Sequence, residues 1–243
     1  MIQITPTTLE KLRQIDTPTL CNLIELFDIR PRNTGYMDGR IQACFPEMPA
    51  VVGFAATATF RSAAAAPQGS SYVRLEEQAQ RFGELSGPAL VVFQDLDNPA
   101  AAATFGEIMC TTYQAFGAVG LITSGAGRDL DQVHKIGFPV FTNGTICAHG
   151  YCHTPDLHVP VHVGGLAVYP DDLLHADRNG VTNLPREIAA EAADAGPEFL
   201  ATEAVILEAL QRFPGSLEHL RAARRESAAL SAALHARLSR LPR

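Results

Sequence analysis

Between Ala89 and Thr142 the chain alternates apolar strand patterns with helical ones, and this alternation constrains its fold more than any other feature. Ala89-Leu-Val-Val-Phe-Gln-Asp95 reads as a buried strand, 101–116 as a helix, 119–124 as a strand, 130–136 as a helix and 138–142 as a strand. A β-α-β-α-β order implies parallel strands joined by right-handed crossovers. Such strands are covered on both faces, so the flanking segments must supply further layers.

Those segments are legible in outline. Residues 7–27 carry an apolar helical stripe interrupted at Pro18, which begins a second helix. Residues 30–48, rich in Pro, Gly and charge, read as an irregular loop, 51–60 as a strand and 72–85 as a helix. Shorter strands are expected at 159–163, 166–169 and 181–184. From Glu198 the pattern turns to Ala, Leu, Glu and Arg at helical spacing, broken at Pro214-Gly215, which predicts two terminal helices. They carry an apolar leucine face and a locally basic arginine set, and they read as a packing or subunit-contact element. The expected organisation is one domain over 1–196 and a helical extension over 197–243.

Composition narrows the function. A chain of 243 residues with 47% hydrophobic and 19% charged residues has the make-up of a soluble globular protein, and it lacks an apolar run long enough to span a bilayer. The first residues lack the basic and apolar regions of a signal peptide, so a cytoplasmic location is expected. The net charge of −7 argues against nucleic acid as a partner but leaves small anions open, because a local Arg can dominate its own pocket. Five cysteines in a chain this long do not make a small secreted disulfide framework. Only two lysines, Lys11 and Lys135, accompany seventeen arginines, and neither sits in a recognisable apolar pocket, which disfavours imine catalysis.

The richest motif is Ala118-Val-Gly-Leu-Ile-Thr-Ser-Gly-Ala-Gly-Arg-Asp-Leu130, a strand pattern running through a Gly-rich turn into a helix. Such a turn directs backbone N–H groups and a positive helix end at one spot and suits an anion. Arg128 would grip that anion, and Asp129 would hold a divalent metal beside it. The competing reading makes Asp129 a helix-start residue and Arg128 its surface partner. Gly125-Ala-Gly127 begins like a dinucleotide fingerprint, yet its third small position is Leu130, and the acid expected after the next strand is missing.

Taken in order, Gly106-Glu-Ile-Met109, the turn ending in Arg128-Asp129, Phe138-Pro-Val-Phe141, Gly164-Gly-Leu-Ala-Val-Tyr-Pro-Asp-Asp172 and Ala176-Asp-Arg-Asn-Gly-Val181 resemble the RraA-like and 4-hydroxy-4-methyl-2-oxoglutarate aldolase family. The resemblance covers roughly the first four-fifths of the chain. It implies an α/β fold, a swivelling β/β/α three-layer sandwich with, here, a C-terminal helical extension. It further implies a class II pyruvate aldolase that cleaves a 4-hydroxy-2-oxo acid, or decarboxylates oxaloacetate, through a pyruvate enolate. Carried onto matching positions, Arg128 would bind the 2-oxo acid substrate and stabilise enolate charge. Asp129 would hold Mg²⁺ or Mn²⁺, and Glu107 would take part in proton transfer. Gly106 and the backbone N–H groups of Ile108 and Met109 would meet the keto acid at a helix start. Homotrimers or homohexamers are implied as well.

Three positions depart from the family pattern. Ser124 stands where Asp is common, Thr17-Pro-Thr-Leu-Cys-Asn22 replaces the usual N-terminal segment, and Pro170-Asp171-Asp172 lacks a turn glycine. Asp177 matches a family acid but reads as structural, and Glu203 has no firm motif match. Cys147, His149, Cys152, His153, His158 and His162 form a competing zinc constellation, with His158 and His162 on one face if they share a strand. Packed or surface histidines explain it more cheaply. The alternative function implied by the resemblance is a non-catalytic regulator that binds a ribonuclease.

Overall fold

The structure, a computed structural model, describes residues 2–66 and 73–240. Its helices are α1 (Pro6–Arg13), α2 (Thr17–Glu25), α3 (Val73–Gln80), α4 (Glu107–Ala115), α5 (Leu130–Lys135), α6 (Arg186–Arg212) and α7 (Leu217–Leu238). Its strands are β1 (Gln42–Ala43), β2 (Val51–Phe60), β3 (Ala89–Asp95), β4 (Ala103–Phe105), β5 (Gly120–Thr123), β6 (Ala126–Gly127), β7 (Val140–Thr142), β8 (Val161–Val163), β9 (Leu166–Val168), β10 (Leu173–Asp177) and β11 (Gly180–Asn183). Of the expected 72–85 helix, Tyr72 lies outside the described residues; the rest forms α3 and a 3-10 turn at Arg81–Glu84.

The main sheet has the order β1-β7-β5-β3-β2-β10-β11. Its β2-β3-β5-β7 centre is parallel, as the alternating pattern predicts, while β1, β10 and β11 add antiparallel edges. All ten residues of β2 are buried because both sheet faces are covered. Ala56, Ala58 and Phe60 join Val91, Phe93 and Leu121 beneath α3, α4 and α5. Farther along the same face, Val52 and Phe54 lie under α1, α2, α6 and α7. On the opposite face Val51, Ala55, Leu90, Val92 and Ile122 pack against the β8–β9 hairpin. Hairpin, sheet and helices are the three layers of a β/β/α sandwich.

Three expectations need correction. The segment 101–116 is not one helix: residues 103–105 form β4, paired parallel with β6, before α4 starts at Glu107. Its alanines favour helix locally, but burial and strand pairing override that preference. The first terminal helix begins at Arg186 rather than Glu198, because Ile188, Ala189, Ala192 and Ala195 bury a face in the core shared with α1 and α2. Gly196 lets that helix approach closely, since a Cβ there would meet Ile15 Cδ1 at 2.5 Å. Finally, β10 has no counterpart in the sequence reading, as His175 and Asp177 disguise a fully buried strand. No helix among the described residues is long and apolar enough to cross a membrane.

Candidate active site

Behind the candidate site, β4 and β6 run unusually close together because glycine lines the contact. A Cβ on Gly127 would fall 2.3 Å from the Phe105 ring, and one on Gly125 would lie 2.4 Å from Thr104 Oγ1 and 2.5 Å from Asp95 Oδ2. These glycines serve chain-to-chain packing, which is why they resemble a dinucleotide turn without being one. The Arg128 N–H donates to the Phe105 carbonyl at 3.1 Å and holds the end of β6 against the end of β4. The two strands thereby deliver the α4 and α5 helix starts to one place.

Asp129 sits at the start of α5 with φ 55° and ψ 37°, a left-handed conformation that few non-glycine residues other than Asp and Asn tolerate. Its side chain does not cap α5. Instead Oδ2 accepts the Glu107 N–H at 3.1 Å, at the first residue of the neighbouring helix α4. Asp129 thus stands at the start of α5, as the competing reading has it, while its side chain serves the neighbouring helix. Arg128 Nε lies 3.8 Å from the same oxygen, with 29% of the Arg128 side chain and 40% of the Asp129 side chain exposed. Gly106 completes the cradle: a Cβ there would lie 2.6 Å from Asp129 Oδ2 and 3.1 Å from Arg128 Nε.

Gly106, Glu107, Ile108, Met109, Arg128 and Asp129 all line one pocket of about 130 Å³. The N–H groups of Ile108 and Met109 belong to the first turn of α4, where a helix has no carbonyls of its own to offer them. Two carboxylates, those of Glu107 and Asp129, and one guanidinium, that of Arg128, are among the described lining residues. The pocket is therefore formally negative by one charge, a poor host for a keto-acid anion unless a cation joins it. Oxygen donors with open access suit a hard divalent ion that retains water.

A larger cleft of about 540 Å³ opens beyond β6, where Ser124 and Asn143 follow β5 and β7 and Asp95 ends β3. Burial pushes the Asp95 carboxyl up to about 6 despite the Asp97 N–H that donates to it, and its buried Oδ2 has no partner among the described residues. Ser124, the residue at the first departure from the family pattern, accepts the Asp95 N–H at 2.9 Å. It ties β5 to β3 behind the Gly-rich turn.

The supposed zinc constellation is dispersed. Among the described residues no group of three His, Cys, Asp or Glu side chains is placed to hold a metal. His158 lies outside β8 with φ 51°, its Nδ1 3.4 Å from Glu84 Oε2, so it shares no strand face with His162. His162 lines the larger cleft, and the His153 ring meets the Tyr151 carbonyl at 2.9 Å. His149 and Cys152 do come together, and they line the Arg128–Asp129 pocket. The sequence singled them out only as members of the metal pattern. Asp177 lies elsewhere, where its Oδ2 accepts the Thr17 N–H at 2.9 Å.

With this geometry in hand, the chain was compared with known proteins. A family model named RraA-like and described as Aldolase/RraA matches residues 17–182, more than half of the chain. A putative 4-hydroxy-4-methyl-2-oxoglutarate aldolase of Halalkalibacterium halodurans is 29% identical over 102 residues, covering 42% of this chain and 49% of that protein. The match thus spans about half of that relative's length. Among solved structures, an uncharacterized protein from Pseudomonas syringae pv. tomato superposes with a TM-score of 0.69 at 23% identity, covering 92% of this chain and 95% of that one. Streptomyces coelicolor RraAS2, described as an unusual member of the RNase ES inhibitor RraA protein family, gives 0.64 at 22% identity, covering 83% and 97%. At such identities the two structures establish the shared fold.

Proposed function

The chain belongs to the RraA-like family, and from that premise we propose that it is a divalent-metal-dependent carbon–carbon lyase releasing pyruvate from a 4-hydroxy-2-oxo acid, from oxaloacetate, or from both. The observation that carries this reading is the convergence of Arg128, Asp129 and Glu107 on one pocket, with Asp129 turned away from its own helix toward the start of α4. The aldolase name of the Halalkalibacterium halodurans relative points the same way.

In this reading Asp129 would hold Mg²⁺ or Mn²⁺. When bound, the ion supplies Lewis-acid polarisation of the 2-oxo group. Arg128 pairs with the substrate carboxylate and stabilises the negative charge that develops as the carbon–carbon bond breaks. The N–H groups of Ile108 and Met109 orient the oxo acid, and Gly106, without a side chain, leaves room for Asp129 and Arg128 beside them. Glu107 takes the proton from the 4-hydroxyl, directly or through one water, as the electron pair of the breaking bond moves toward the oxo oxygen. The same group delivers a proton to the methylene carbon and completes pyruvate. Oxaloacetate needs no hydroxyl deprotonation, because loss of CO₂ yields the same enolate. Ile108, 70% exposed beside the pocket, is the side chain a neighbouring copy would cover in a trimer or hexamer.

A coupled pyruvate assay on oxaloacetate and a panel of 4-hydroxy-2-oxo acids, with and without chelator, tests the reading. Turnover is expected to need the metal and to fall about 10²–10³-fold in Arg128→Ala, the loss typical of removing one charge-stabilising donor. Turnover that survives both chelation and the substitution would sink the mechanism. Metal-independent silence together with capture of a ribonuclease would instead make the protein a binding regulator.

A further inference from the structure

The pocket holds one feature that the lyase chemistry leaves unused. The segment after β7 wraps round the β4–β6 pair: Gly127 donates its N–H to the Gly144 carbonyl at 3.0 Å on the β6 side, and Ala103 donates to the Ala148 carbonyl at 3.0 Å on the β4 side. Residue 149 therefore stands across β4 from Arg128 and Asp129. The Tyr151 N–H donates to the Ser62 carbonyl at 3.0 Å, and Arg61 and His153 exchange backbone hydrogen bonds at 3.0 and 2.9 Å. Gly150, at φ 57°, permits this close seating, since a Cβ there would lie 2.7 Å from Ala102 Cβ and 3.0 Å from the Ser62 carbonyl. His149 is thus held on the pocket wall by a braced backbone.

We propose that His149 is the residue that selects substrates carrying a second carboxylate, by binding the anionic group at the end remote from the Arg128 clamp. The assignment rests on the lyase reading, and it follows from charge. Arg128 is the permanent cation among the described pocket residues, and it is engaged by the reacting end of the substrate. The rest of the lining is acidic, apolar or neutral apart from His149, whose imidazole can carry a positive charge. Its Nδ1 lies 3.3 Å from the Gly150 carbonyl and 3.6 Å from Cys152 Sγ. Nε2 lies 3.4 Å from the same sulfur, so the ring is seated beside Cys152 on the pocket wall. Adjacent strands lie about 4.8 Å apart, so the β6 and Ala148 backbones on either side of β4 are roughly 10 Å apart.

The measurement is the ratio of kcat/KM for a 4-hydroxy-2-oxo diacid to that for a 4-hydroxy-2-oxo monoacid of equal chain length. His149→Gln should lower the ratio about tenfold, and His149→Arg, which restores a cation, should recover most of it. In parallel, wild-type protein should bind unreactive 2-oxoglutarate about tenfold more tightly than 2-oxopentanoate by calorimetry. This second readout holds even if a variant fails to fold. Equal affinity for the two oxo acids, or an unchanged ratio in a folded and active His149→Gln, overturns the assignment of His149 and leaves the lyase reading standing. A wild-type protein that turns over no substrate yet prefers 2-oxoglutarate overturns the lyase reading alone. One that neither turns over nor binds either acid overturns both.

Discussion

Two aspartates in this molecule do the same thing to a helix and end in different trades. Asp129 Oδ2 accepts the first N–H of α4, from Glu107, at 3.1 Å, and Asp177 Oδ2 accepts the first N–H of α2, from Thr17, at 2.9 Å. Both reach from a neighbouring strand end or turn to a helix start, where unsatisfied N–H groups and the helix dipole favour an anion. Asp177 is saturated: the Asn179 N–H donates to its Oδ1 at 2.7 Å, the Asn179 side-chain amide to its Oδ2, and the residue is 8% exposed. Beside it His175, wholly buried, accepts from the Thr17 hydroxyl at Nδ1 and donates to the Leu12 carbonyl through Nε2, with burial holding its imidazole below the ordinary value. Asp129 keeps 40% of its side chain in the open pocket beside an arginine. A satisfied carboxylate is a joint, and one with open access beside a cation is equipped for a ligand.

Exchanging each aspartate for asparagine strains the comparison most. Asp129→Asn keeps an oxygen for the Glu107 N–H and a residue that tolerates the left-handed backbone, so the thermal midpoint should stay within a degree or two. Pyruvate release should fall by about 10³-fold, the scale of losing a principal charge-stabilising group. Asp177→Asn should do the reverse. It weakens a buried charge-assisted bond by about 1–3 kcal/mol, a drop of several degrees in midpoint, while kcat of the folded fraction holds. Parallel melting and steady-state kinetics on both variants check this, and an Asp177→Asn that is stable but inactive would erase the distinction.

Gly106→Ala probes the site side of the comparison. The added methyl must push Asp129 Oδ2 away from 2.6 Å, so activity should fall at least tenfold, with a stability cost of about 1–3 kcal/mol from overpacking. Wild-type kcat/KM in that variant would show that the cradle is not tight.

The smallest effect concerns Asp95, the carboxylate behind the turn. Because burial raises its value from 3.8 to about 6, the folded state binds its proton more tightly than the unfolded chain does. Stability should therefore decline as pH rises from about 4 to about 6 and level off above that, the opposite of a salt-bridged aspartate. Asp95→Asn should flatten that decline, as read from denaturant unfolding across the window. An unchanged slope would show that Asp95 does not carry it.

How much was legible depended on whether a signal was local. The parallel β3-β5-β7 core was written in alternating apolar runs, and Gly106-Glu107 and Arg128-Asp129 stood out as short motifs. The hairpin strands β8 and β9 were readable from the glycine pair that separates them. By contrast β4 lies in an alanine-rich stretch whose neighbours favour helix, and its pairing partner β6 is two residues long. Burial of β10 depends on Thr17 and Leu12, more than 150 positions away, which satisfy His175. The histidines after β7 seemed one cluster because they are close in sequence. The fold sends them to different walls and leaves His149 lining the same pocket as Arg128.

By itself the sequence determined the strand-and-helix alternation, which follows from side-chain period, and through its ordered motifs the resemblance to the family. Only the tertiary structure decided which carboxylate is saturated and which stays open, that Asp129 serves α4 rather than α5, and that His149 belongs to the same pocket. Those outcomes hinge on distances of a few tenths of an ångström between segments far apart in the chain, set where glycines let β4 and β6 touch.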